Sequence, residues 1–203
     1  MEVRAGQLIY GNVSPAESPL RRGGFQTLFY TRNALNEDEV RSLESRWFYY
    51  GLGDCKWAKR VFCVSNTGKY ILAQVVPIQE PDEYGRYGRL LAHAFIFAPE
   101  EFEKAGCNPF ALFHSARFVT TIEEALRLGN HSNQDIPSVS LAVPEAQNDS
   151  EVMKQWSIDD RTQMALLALR AQKMAEERRM AAFIGNPEQV EDALRVATLA
   201  VPA

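Results

Sequence analysis

The chain has 203 residues, 46% of them apolar and 24% charged, enough to bury a sizeable core without disulfide or metal staples. Its formal net charge of −4 argues against nucleic-acid binding as the main activity, because no basic surplus exists to displace counterions from phosphates. Cys55, Cys63 and Cys107 are odd in number and lack CxxC spacing, which fits reduced, partly buried thiols in a cytoplasm better than a disulfide framework.

The N-terminus, Met1-Glu2-Val3-Arg4-Ala5-Gly6, has no apolar stretch of the signal-peptide kind. No apolar run approaches the roughly 18 residues that a membrane span needs, so no membrane contact is expected. Residues 7–13 form the first predicted strand. The segment 14–24, with Pro15, Pro19, Gly23, Gly24, Arg21 and Arg22, reads as a loop. Residues 25–31, aromatic and β-branched, are a second strand. Asn36 then caps a helix whose first turn holds Glu37, Asp38 and Glu39, where the helix dipole favours negative charge. Val40, Leu43 and Trp47 give that helix one apolar face.

Residues 60–66 and 69–76 are two further strands joined by a two-residue Thr67-Gly68 link. A loop over 77–88 carries Pro81, Gly85 and Gly88 with Tyr84, Arg86 and Tyr87. Residues 89–98 are apolar at nearly every position, which predicts a central strand covered on both faces and ended by Pro99. Short helices follow at Pro99-Glu100-Glu101-Phe102, at Asn108-Pro109 and over 121–128, the last stopped by Gly129-Asn130. Residues 136–143 read as an edge strand and 144–150 as a polar linker. A long helical pattern spans 159–184, Gly185-Asn186-Pro187 breaks it, and a second helix runs over 188–199. The apolar ending Val201-Pro202-Ala203 suggests a piece of a longer polypeptide, a natural terminus tucked against the core being the alternative. The expected class is therefore α+β: a mixed or antiparallel sheet of about five to six strands with flanking helices, then a C-terminal helical segment. The expected division is an α+β N-terminal domain over 1–148 and a helical segment over 149–203.

No stretch spells out a catalytic site. His93 lies on the most buried strand, where it is either a general base or ligand on a rigid element or a core histidine bonded to a neighbour; the residues favour the second. Cys63 could pair with His93 as a thiolate–imidazole dyad, yet its apolar surroundings, Val61-Phe62-Cys63-Val64, favour a buried, unactivated thiol. His114 and His131 are weaker candidates. No HxH, HExxH, paired CxxC, GxxxxGK[ST] or GxGxxG is present, so neither a metal nor a nucleotide cofactor is expected. The remaining candidates are surfaces. Arginine and tyrosine are enriched at interface hot spots, which selects Arg21 and Arg22 on one loop and Tyr84, Arg86, Tyr87 and Arg89 on the other as binding residues, solvated loops being the alternative.

Three segments carry a family resemblance: Gln7-Leu8-Ile9-Tyr10-Gly11, Gly24-Phe25-Gln26 and Ala92-His93-Ala94-Phe95. In that order they resemble the N-terminal domain of the GTPase-associated protein family of bacterial conflict systems. The helix after Asn186-Pro187, ending at Leu199-Ala200-Val201-Pro202, looks like the lead-in to that family's middle region. The loop segment from Ser14 to Arg22 departs from the pattern. The resemblance implies an adaptor-like subunit without an established catalytic role, working beside a small GTPase as its protein partner. The competing reading is a small cytoplasmic hydrolase or transferase using Cys63 or His93.

Overall fold

The computed structural model describes residues 1–51 and 58–143, and the side chains of these except 46–51. They belong to the first of two compact units, Met1–Glu145; the helical segment expected over 149–203 lies outside the described residues. Alternation of exposed Glu2 and Arg4 with buried Val3 and Ala5 begins earlier than expected, so the first strand, β1, is Glu2–Val13 rather than 7–13. It is followed by β2 (Gly24–Tyr30), α1 (Glu37–Gly51), β3 (Lys59–Val64), β4 (Tyr70–Ile78), β5 (Arg89–Phe97), α2 (Pro99–Lys104), α3 (Pro109–Ser115), α4 (Ile122–Leu128) and β6 (Val139–Ala142). The strands form one sheet in the order β2-β1-β5-β4-β3, with β6 pairing the first residues of β1. Every pairing is antiparallel, which decides between the mixed and antiparallel alternatives.

β5 is the central strand, buried at all nine positions. The pleat sends its side chains to two separate cores. Leu90, Ala92, Ala94 and Ile96 pack with Leu8, Tyr10, Ile71, Ala73 and Val75 beneath Leu35, just before α1, and Val40 and Leu43 within it. On the other face, Phe95 and Phe97 meet Phe102 of α2 and Leu112 and Phe113 of α3. Leu91 there joins Ile9, Leu28 and Phe29 under Ile122 and Ala125 of α4.

The helices begin where the side chains can cap them. Asn36 Oδ1 accepts from Glu39 N–H at 2.9 Å while Glu39 Oε2 accepts from Asn36 N–H at 2.9 Å, a reciprocal capping box for α1. Asn108 Oδ1 accepts from the N–H groups of Phe110 and Ala111, and Thr121 Oγ1 accepts from Glu124 N–H. The β3–β4 connection is longer than the expected Thr67-Gly68 pair. Ser65 N–H donates to the Lys69 carbonyl at 2.8 Å, and Gly68, at φ +80°, donates to the Ser65 carbonyl, a turn followed by a residue in the left-handed region.

Candidate functional site

Strand order brings the two arginine-bearing loops together. β1 and β5 are antiparallel neighbours with Gly11 opposite Leu91, so the end of β1 and the start of β5 lie at the same end of the sheet. The loop over 14–23, between β1 and β2, and the loop over 79–88, between β4 and β5, both project from that end. Glu83 of the second loop lies beside the first, its Oε1 3.0 Å from where a Cβ on Gly23 would stand. Arg89, the first residue of β5, ties the first loop to the sheet: its Nη2 donates to Glu17 Oε2 at 2.7 Å, and its Nε donates to the Asn12 carbonyl of β1 at 3.1 Å.

Arg89 differs from the other expected binding residues in its exposure. It is buried, because it opens β5 and the pleat turns its side chain inward onto Glu17. Burial pushes the Glu17 carboxyl upward, but the Ser14 N–H bond and the Arg89 guanidinium outweigh this and hold it below its ordinary value. Arg21, Arg22, Tyr84, Arg86 and Tyr87 are exposed at this end, the two tyrosine residues at 73% and 79%.

Each loop is pinned from within. In the first, Glu17 Oε2 accepts from Ser14 N–H, Ser18 Oγ accepts from Leu20 N–H and donates to Gln26 Oε1, and Gln26 Nε2 donates to the Arg22 carbonyl. Arg21 donates its N–H to the Ser18 carbonyl and sits at φ +53°, a left-handed conformation uncommon for a side chain of its size. In the second, Asp82 Oδ1 accepts from the N–H groups of Tyr84 and Arg86, both at 2.9 Å, and its Oδ2 accepts from Arg86 Nε at 2.7 Å. The Arg86 guanidinium lies 4.9 Å from the centre of the Tyr84 ring.

His93 and Cys63 are not brought together. Cys63 packs on the α1 face of the sheet, and His93 points to the opposite face, against Phe95 and Phe118 at ring distances of 4.6 and 5.9 Å. His93 is 1% exposed. Its Nδ1 accepts from Val119 N–H at 3.0 Å, so the ring proton sits on Nε2 and is donated to Gln7 Oε1 at 3.0 Å. Gln7 Nε2 in turn donates to the Pro137 carbonyl, while Thr31 Oγ1 accepts from Gln7 N–H and donates to the Ile136 carbonyl. Burial holds the imidazole pKa down to about 4, so the ring is neutral. His131 Nε2 lies 2.7 Å from the Leu126 carbonyl, at the end of α4.

Sequence reasoning missed Gln7, Glu17 and Asp82. Glu17 follows Ser14 by three residues and Asp82 precedes Arg86 by four, spacings that signal a locally closed turn. Gln7 gives no comparable signal, since its partner is 86 residues away. Among the described residues no group of three or more His, Cys, Asp or Glu could hold a metal ion. No helix among them is long and apolar enough to cross a membrane.

An antiparallel sheet covered on both faces, with His93, Gln7 and Thr31 held in one buried hydrogen-bond network and two hairpin loops displayed at one end, defines an α+β domain. The chain belongs to the family described as GTPase-associated protein 1, N-terminal domain type 2, whose profile matches residues 4–132, more than half its length. This is the family to which the three segments pointed, and it ties the chain to a GTPase-linked system. No curated protein and no solved structure matches the chain significantly.

Proposed function

We propose that this domain is a non-enzymatic interaction module of a bacterial, cytoplasmic, GTPase-linked conflict system, and that it docks a partner protein, a GTPase, through the loops over 14–23 and 79–88. The observation that supports it is the juxtaposition of two internally pinned loops that present Arg21, Arg22, Tyr84 and Tyr87 to solvent. Rigid aromatic and guanidinium groups lose little entropy on binding, which is why they recur as interface anchors. The enzyme reading finds less support. Both nitrogens of His93 are engaged and the ring is buried, and Cys63 lies across the sheet from it.

The test is affinity capture from the native host with the whole chain as bait, with and without added GTP. Arg21→Ala, Arg22→Ala and Tyr87→Ala should each weaken capture of a GTPase, by about 1–3 kcal/mol for a hot spot, and leave the melting temperature unchanged. Undiminished capture by a variant carrying all three changes would move the contact to another surface.

A further inference from the structure

Once internal ion pairs are counted, the two loops are left with charges of opposite sign. Glu17 is taken by Arg89 and Asp82 by Arg86. The first loop therefore keeps Arg21 and Arg22 exposed and without an ion pair among the described residues, and the second keeps Glu80 and Glu83 in the same condition. A surface that is neutral in sum but divided by sign suits neither a uniformly acidic nor a uniformly basic partner, because half of it would always face its own charge. It does suit its own image. A twofold axis between the loops lays the arginine loop of one copy on the glutamate loop of the other, so the complementary contact is made twice. Tyr84 and Tyr87 lie beside the glutamates and supply the apolar contact that such a centre requires.

We propose that this end of the domain is a homotypic interface joining two copies of the chain about a twofold axis. The two loops hold ten residues each and Ser18 among them is buried, so they offer fewer than the roughly twenty residues a side of a stable interface, and the dimer is weak and exchangeable. It uses the surface assigned above to partner docking, and self-association and docking therefore exclude one another. Only that competition rests on the docking reading; the dimer stands apart from it.

Sedimentation velocity on the whole chain, from about 1 µM to about 1 mM, should reveal a concentration-dependent passage from monomer to dimer. The variants Arg21→Glu/Arg22→Glu and Glu80→Arg/Glu83→Arg should each weaken self-association by about tenfold or more, since like charges then face one another. An equimolar mixture of the two should restore a dimer, now a heterodimer. Thermal melts check that both variants fold; if one does not, the single changes Arg22→Glu and Glu83→Arg replace them in the mixture. A chain that stays monomeric throughout overturns the homotypic interface and leaves partner docking to be judged by capture. A dimer that neither variant weakens, or that the mixture fails to restore, also overturns it.

Discussion

Acidification should unfold this domain through His93 before it does so through the carboxylates. The folded imidazole has a pKa of about 4 against 6.5 for the free side chain, because the ring is buried and its Nδ1 lone pair is already committed to Val119 N–H. Between those values the unfolded chain binds a proton that the folded chain refuses. Stability therefore falls as pH falls through this window, by about 1.4 kcal/mol per unit and roughly 3 kcal/mol in all, and the contribution is flat above pH 6.5. The carboxyls of Glu17 and Glu39 are held below their ordinary 4.5, so the stability they add is lost only below that pH. Urea unfolding followed by circular dichroism, at pH steps from about 8 to about 3, separates the two windows. His93→Gln keeps an acceptor for Val119 and a donor for Gln7 but cannot titrate. It should be less stable than the wild type at pH 8, by about 1–3 kcal/mol, and lose the slope between pH 6.5 and 4.5. A wild-type profile flat across that interval, or a variant with the same slope, would refute the neutral, doubly bonded histidine.

Gly129→Ala should lower the melting temperature sharply, because a Cβ there would overlap the buried ring of Phe29; overpacking of this kind costs about 1–3 kcal/mol, and an unchanged melt would mean that the end of α4 shifts freely. Arg89→Met should cost about 2–3 kcal/mol in urea unfolding by stranding Glu17, and adding Glu17→Gln should recover part of the loss; strictly additive losses would deny the coupling. Asn36→Ala should cost about 1 kcal/mol and speed hydrogen exchange at the first turn of α1, with unaltered exchange counting against the capping box.

What was legible in the sequence was what neighbouring residues decide. The unbroken apolar run of β5 announced a central strand, and it is buried throughout. Asn36 before three acids, and proline or threonine at the starts of α2, α3 and α4, placed the helices within a residue or two. What was lost depended on distant partners. The first residues of β1 pair with β6, so Val3 lies opposite Leu141. A four-residue alternation carries too little signal without that partner. Proximity in the chain groups Arg89 with Arg86 and Tyr87, but those two lie in the loop while Arg89 opens β5 and is buried against a glutamate 72 residues earlier. The adjacency of the two loops follows from β1 lying beside β5, a strand order that no local pattern encodes.

That strand order also bears on how the proposed docking surface would bind. Loops at sheet ends ordinarily lose conformational freedom when they bind, and the loss opposes association. Here much of the ordering has occurred on folding: Ser18 and Gln26 fix the loop that carries Arg21 and Arg22, and Asp82 fixes the one that carries Tyr84 and Arg86. Arg89 ties the first loop to the central strand itself. The left-handed backbone at Arg21 fits the same account, since a conformation disfavoured for arginine persists only where the surrounding bonds over-determine it. On the docking and homotypic proposals alike, affinity at this end of the domain would therefore depend also on Asp82 and Ser18, which hold the loops that carry Arg21, Arg22 and Tyr84.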